Sequence, residues 1–400
     1  MWFVFLGVGL VLLVVIGLYV RRRLADSLTH LGVGARAVRW TRRLVVWLLF
    51  GYPLLMIAAV VVSLVSGRAT LVRLDDPLPT WLLVYPFYLA LLVALQSVPY
   101  LLVLELVHWV LRRQRGRASA DKLRAIAVLV VMVGFGLYTP LRILAERDTL
   151  NVRHHRVATS ALPAPLRIAF VADVQQDAHT DTERANQVVA QVNASTPDVV
   201  LSGGDWINTG PDYIEAAAVT AGALKSRLGT FTVRGDHEHF GYVDQQRSAA
   251  EVERALAAHG VITVNDEVRW FEHHGARIGV LFLDYNYIHR TDDATIAARV
   301  AALAGADYAI VVAHQFDARL AALVKDKVDL VLAAHTHGGQ VNPVIGVMHV
   351  PLARIETPYI DGRYALGTTT VIVTSGVGFS LVPFRYAAPA SIEIVELGAR

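Results

Sequence analysis

The chain has 400 residues, 54% hydrophobic and only 18% charged, with a mean hydropathy of +0.44. That is too apolar for an ordinary soluble protein and long enough for more than one domain. The formal net charge is +3, and the lack of cysteine excludes disulfides and thiolate metal sites. The apolar excess sits in residues 1–145, where four runs of about 20 residues read as membrane helices: Trp2 to Val20, Leu44 to Ser66, Trp81 to Trp109 and Arg124 to Leu144. The third contains Pro86 and Pro99, which predicts a kink or tilt. The first lacks both a preceding basic region and a following small-residue cleavage site, so it is expected to be a retained helix.

Basic residues cluster between these runs. Arg21, Arg22, Arg23, Arg36, Arg39, Arg42 and Arg43 follow the first, and Arg112, Arg113, Arg115, Arg117 and Lys122 follow the third. The loop Gly67 to Thr80 carries only Arg68 and Arg73, offset by Asp75 and Asp76. Positive loops stay cytoplasmic. The expected protein is therefore a multi-pass plasma-membrane protein whose chain after Leu144 is extracytoplasmic. These arginines do not form the aromatic-basic pattern of a nucleic-acid platform, so membrane flanks account for them and no nucleic-acid partner is expected. Glu105 is nearly alone as a charge within the spans, which weighs against a transport pathway, and His108 one turn later is a candidate partner for it.

Residues 146–165 read as a polar, proline-bearing linker, and 166–400 as one domain. There, strand-like runs alternate with helical stretches at Asp181 to Ser195, Asp212 to Arg227, Ser248 to His259, Asp292 to Ala304 and Phe316 to Lys327. The alternation predicts α/β layering, with more strands near the end at Thr369 to Thr374 and Ser391 to Glu396. Five polar clusters each follow an apolar β-like run: Asp173-Val174-Gln175, Gly204-Asp205-Trp206-Ile207-Asn208, Gly235-Asp236-His237-Glu238, Ala313-His314-Gln315 and His335-Thr336-His337-Gly338-Gly339-Gln340. Ligands of open α/β sheets gather beyond the carboxyl ends of strands, so the five clusters predict one shared site. Carboxylates mixed with imidazoles suit Mn, Fe or Zn, and two such ions can act together on a phosphate ester.

In composition and order these clusters resemble the calcineurin-like metallophosphoesterases, with their Asp-x-His, Gly-Asp-x-x-Asp, Gly-Asn-His-Asp/Glu, lone His and Gly-His-x-His motifs. Ser375-Gly376-Val377-Gly378-Phe379-Ser380 and Pro383-Phe384-Arg385 are similar to the membrane-associated branch. The resemblance implies an α/β domain built as a two-sheet β-sandwich flanked by helices, in addition to the N-terminal α-helical membrane region. It also implies two divalent metal ions (Mn, Fe, Zn or Mg). The bridging ligand would be Asp205, with Asp173, His337 and Gln175 at the first ion and Asp236, His314 and His335 at the second. Gln175 stands where a His is usual, Asp236 where Asn is usual, and Asn208 where a second Asp is usual. Ligation by the Gln175 amide and a local hydrogen bond to backbone are both open readings, and an oxygen there favours Mg and Mn. The exchange at positions 208 and 236 conserves charge, which predicts coupling between them.

His237 resembles the histidine that protonates the leaving alkoxide. Asn208 is a poorer partner for it than a carboxylate, and Glu238 is a candidate to orient it instead. Trp206 reads as a packing residue. His154, His155, His273 and His274 read as members of polar connecting segments, and His179 and His239 as candidates for lining the cleft. Two functions fit: a membrane-anchored phosphoesterase acting on a phospholipid, a lipid-linked phosphate or a cell-envelope sugar phosphate, and a weakly catalytic membrane protein that binds or senses an envelope phosphate.

Overall fold

The computed structural model describes residues 2–66, 77–380 and 382–399. It divides into two compact units: Met1–Ala145 with Pro343–Val350, and Glu146–Asn342 with Pro351–Arg400.

The first unit is helical: Trp2–His30, Ala35–Ser66, a continuous segment from Pro77 through a π turn at Thr80–Val84 into Tyr85–Arg115, and Arg117–Glu146. Among the described residues, Ala35–Val62, Thr80–Gln114 and Arg117–Glu146 are long and apolar enough to cross a membrane. The run Trp2 to Val20 lies in the first helix, whose side chains are described only from Gly7 onward. Of the expected loop Gly67 to Thr80, residues 67–76 lie outside the described residues. Large apolar side chains point outward, among them Val11 (62% exposed), Leu106 (65%) and Leu141 (65%), as lipid-facing surfaces require. The pairing of Glu105 differs from the sequence expectation. Its carboxylate meets Arg23 at 3.0 Å and Arg124 at 3.4 Å, while His108 turns to Asp121 at 2.6 Å. Arginines on neighbouring helices offer fuller charge neutralisation than a histidine on the same helix.

Fourteen strands appear among the described residues. In chain order they are β1 (Leu150–Ala158), β2 (Leu166–Val171), β3 (Val199–Ser202), β4 (Thr230–Thr232) and β5 (Val261–Thr263). Next come β6 (Glu267–His273), β7 (Ala276–Leu283), β8 (Tyr308–Ala313), β9 (Leu330–Ala333), β10 (Val344–Ile345) and β11 (Met348–His349). The last are β12 (Gly362–Leu366), β13 (Thr369–Val373) and β14 (Ala390–Gly398). The second unit contains two six-stranded sheets, ordered β1-β14-β2-β3-β4-β5 and β12-β13-β9-β8-β7-β6. The runs β2 to β5 and β7-β8-β9-β13 and the pair β1-β14 are parallel, while β14-β2 in one sheet and β12-β13 and β6-β7 in the other are antiparallel.

The inner faces meet in one core built from Ile168, Phe170, Leu201, Phe231, Val280, Phe282, Ile310, Leu332 and Ile372. A second core lies under the helices Thr182–Ala194, Ile214–Gly222 and Gln245–Ala258, and a third under Asp293–Ala301 and Ala318–Val324. Four of these helices begin at an Asp whose side chain accepts from the backbone N–H three residues on: Asp181, Asp244, Asp292 and Asp317, at 3.0, 3.0, 2.9 and 2.9 Å. Each such cap contributes about 1 kcal/mol. The unit is the expected helix-flanked two-sheet sandwich.

Two segments differ from their sequence expectation. The linker 146–165 contains β1, which pairs along its whole length with β14. His154 and His155 are therefore strand residues, and His155 Nε2 lies 2.7 Å from the buried Glu393. His273 ends β6, buried, 2.9 Å from both Arg227 Nη2 and the Pro165 carbonyl. Edge strands that alternate charged and apolar residues lack the continuous apolar run of an interior strand.

Candidate metal centre

All five clusters sit at the carboxyl ends of parallel strands: Asp173 and Gln175 beyond β2, Asp205 beyond β3, Asp236 beyond β4, His314 beyond β8, and His335 and His337 beyond β9. Asp173, Gln175, Asp205, His335 and His337 all have positive φ, between 45° and 75°. Backbone strain of this kind concentrates where side chains must be aimed. Gly204 permits a close approach of two backbones, since at φ +87° an added Cβ would stand 2.4 Å from the Gly235 nitrogen.

Two donor groups result. Asp236, His314 and His335 each offer a ligand atom within 4.8 Å of one another, and so do Asp173, Asp205 and His314. The contacts indicate which nitrogen of each neutral imidazole would face a cation. His314 Nδ1 faces the Gly203 carbonyl at 2.7 Å and donates to it, leaving a lone pair on Nε2. His335 Nε2 lies 3.2 Å from Glu356 Oε1 and 3.0 Å from Gln315 Nε2. The carboxylate is the stronger partner, which leaves the lone pair on His335 Nδ1. These two lone pairs face each other at 3.1 Å, with Asp236 Oδ2 at 2.9 Å from His335 and 3.3 Å from His314. Three electron-rich atoms so close repel one another unless a cation or a proton lies between them. Gln175 adds a second sign: it is fully buried, its Nε2 donates to Asp205 Oδ2 at 3.2 Å, and its Oε1 has no hydrogen-bond partner. A buried acceptor of this kind costs about 1–3 kcal/mol, and a cation would satisfy it. The residues present fit divalent metal.

Electrostatics agree. Burial raises the Asp173 carboxyl. Burial also opposes ionisation of Asp236, yet hydrogen bonds from His314 and His335 hold it far below the usual carboxylate range. Against the opposing effect of burial, the nearby carboxylates raise both imidazoles, so protons on these nitrogens stand where a cation would. His337 is kept neutral by burial and by the charge of Arg385. It belongs to neither donor group: its Nδ1 lies 3.3 Å from Arg385 Nη2. Arg385 is fully buried and donates to the carbonyls of His337, Ser375, Gly376, Gly378 and Ala388, joining the two loops that flank Asp173.

His237 stands beside the donor groups. Its backbone N–H donates to Asp205 Oδ1 at 2.8 Å, its Nδ1 donates to the Asn208 carbonyl at 2.6 Å, and its Nε2 lies 4.0 Å from Asp205 Oδ2. Glu238 does not orient it. Glu238 is buried and accepts the N–H groups of Asp205, Trp206 and Gly235, so it holds the metal-site turns. Trp206 packs in the core with its indole N–H on Thr232 at 3.0 Å. The sequence motifs do not include two residues that contact His335: Glu356, and Tyr287, whose ring meets that of His335 at 4.9 Å. Neither lies next to a motif, and no sequence signal marks them. Gln315 was within reach, as the neighbour of His314.

Asn208 also behaves differently from expectation. Its side-chain amide donates to Asp177 Oδ2 at 2.6 Å and to the Phe379 carbonyl at 3.2 Å, and shares no partner with Asp236. The charge-balancing exchange therefore loses its physical basis. Asn208→Asp is expected to destabilise the fold by about 1–3 kcal/mol, because a donor is lost and a like charge is set against Asp177. Combined with Asp236→Asn the effects should add, as they do for side chains without a common network. Urea unfolding of the two single variants and the double variant measures this.

Comparison with known proteins places this arrangement. Residues 166–339 match the calcineurin-like phosphoesterase family. An uncharacterized metallophosphoesterase of Helicobacter pylori strain J99 is 25% identical over 344 residues, covering 84% of this chain and 88% of that one. A Bos taurus transmembrane protein with metallophosphoesterase domain is 27% identical over 317 residues, covering 74% and 68% respectively. The uncharacterized metallophosphoesterase YkuE of Bacillus subtilis is 26% identical over 261 residues, covering 63% and 87%.

Proposed function

We propose that the calcineurin-like metallophosphoesterase domain this chain carries hydrolyses a phosphate ester with two divalent ions, at the extracytoplasmic face of the plasma membrane. The observation that carries the reading is the convergence of His314 Nε2, His335 Nδ1 and Asp236 Oδ2, three potential ligand atoms 2.9 to 3.3 Å apart. Asp173, Asp205 and Gln175 supply the oxygens on the other side of His314, and His337 is the remaining candidate ligand. Bound there, two divalent cations would neutralise phosphate oxygens and make a water nucleophilic near neutral pH. The amide oxygen of Gln175 favours Mg or Mn over Zn.

The protein's own groups do the rest. Asp205 is fixed by Gln175 and by the His237 backbone, so its carboxylate is aimed before substrate arrives. His237 is anchored through Nδ1, which leaves Nε2 as the atom that passes a proton to the leaving alkoxide. Glu356 orients His335 in the manner of a carboxylate behind a metal-binding imidazole. The arginine-rich loops support the topology, and a site tethered to membrane helices supports a phospholipid or other lipid-linked phosphate as substrate.

One observation favours the second reading, a weakly catalytic phosphate-binding protein. The partner of His237 is a neutral carbonyl, which stabilises an imidazolium less than a carboxylate does. Full-length protein in detergent, supplied with Mn and either p-nitrophenyl phosphate or its bis-ester, separates the two. Turnover of either ester supports the esterase. Metal and phosphate binding without turnover would transfer the case to the binding protein, and failure to bind metal would sink both.

A further inference from the structure

The segment Pro343–Val350 follows the last site motif in sequence, yet it belongs to the helical unit. It forms a two-strand hairpin in which Val344 pairs with His349 and Ile345 with Met348. Its backbone donors are taken up by the helix Tyr85–Arg115 and by itself. Val344 N–H donates to Gln96 Oε1 at 3.1 Å, Gly346 N–H to the Tyr100 hydroxyl at 2.7 Å, and Val350 N–H to the Pro343 carbonyl at 2.9 Å. Gln96 is fully buried, and its amide nitrogen also meets Leu92 O and Thr139 Oγ1 at 3.3 and 3.2 Å.

The depth of these contacts is informative. Gln96 meets Thr139, seven residues before the last residue of the helix Arg117–Glu146, so at 1.5 Å per residue this contact lies about 10 Å inside that end of the helix. Non-helical backbone is tolerated at membrane depth only where protein groups satisfy it, and here the Gln96 and Tyr100 side chains serve that purpose. The hairpin contains no Asp, Glu, Lys or Arg. Its tip is apolar and bare, with Val347 95% and Met348 62% exposed.

We propose that Pro343–Val350 is a membrane-embedded hairpin whose tip, Val347 and Met348, contacts lipid acyl chains. The hairpin connects Asn342, five residues after His337, to Glu356, six residues beyond Val350, so a lipid-held loop lies between two segments of the metal site in the chain. The assignment does not depend on catalysis.

The natural chain has no cysteine, so one introduced thiol reports one position. Val347→Cys carries an environment-sensitive fluorophore in full-length protein reconstituted into phosphatidylcholine vesicles. Val243→Cys, 64% exposed in the α/β unit, serves as the water-facing control. The expected result is blue-shifted emission at 347, quenching by acyl-chain spin-labelled lipid, and iodide quenching several-fold weaker than at 243. Equal iodide access at both positions would overturn the proposal. Protection from iodide without quenching by spin-labelled lipid would overturn it as well, and would point to occlusion by protein. Neither side chain is packed, so loss of fold does not confound the comparison.

Discussion

Replacing Asp205 by Asn is expected to lower turnover by at least about 100-fold and to loosen both metal ions, more than the 10–100-fold typical of groups that only support a ligand. Asp205 belongs to one donor group with Asp173 and His314, and its Oδ2 lies 3.5 Å from Nε2 of His314, the residue common to both groups. The substitution keeps the shape. Oδ1 can still accept from the His237 backbone, while the bond from Gln175 Nε2 is lost, so folding stability should fall by only about 1 kcal/mol. Metal analysis after dialysis, with turnover and urea unfolding on the same preparation, checks the result. Retention of both ions with full turnover would show that this carboxylate does not bridge the site.

His237→Ala is expected to do the opposite to metal. Neither donor group includes His237, and the backbone N–H that holds Asp205 survives the substitution. Metal content should therefore be unchanged while turnover falls by about 10²–10⁴-fold, the usual cost of a lost general acid. An ester with a good leaving group, which needs little protonation, should lose much less. Loss of metal in this variant would mean that the imidazole is a ligand, and equal losses on good and poor leaving groups would deny it the role of acid.

The centre of the fold was readable because its strands are buried on both faces. Residues 168–171, Tyr308–Ala313 and Leu330–Ala333 are continuous apolar runs followed by polar clusters. The periphery was not. In β1, Arg153, His154, His155 and Arg156 interrupt the pattern, because this strand satisfies Glu393 and lies at a sheet edge. Glu238 shows the limit of motif reasoning. Its place in the cluster suggested a partner for His237, but its short reach to three backbone N–H groups decides its role. Asn208 is similar: its backbone, not its side chain, serves His237. Glu356 and the hairpin Pro343–Val350 follow from tertiary contacts that leave no periodic trace.

The central claim is a dinuclear metal site, and stoichiometry tests it most directly. Full-length protein, purified in detergent, stripped with chelator and then dialysed against Mn, is analysed for metal per chain alongside ester turnover. The account predicts two ions per chain, turnover lost with the chelator and restored by Mn. Fewer than two ions at saturating Mn, or turnover untouched by the chelator, would contradict it.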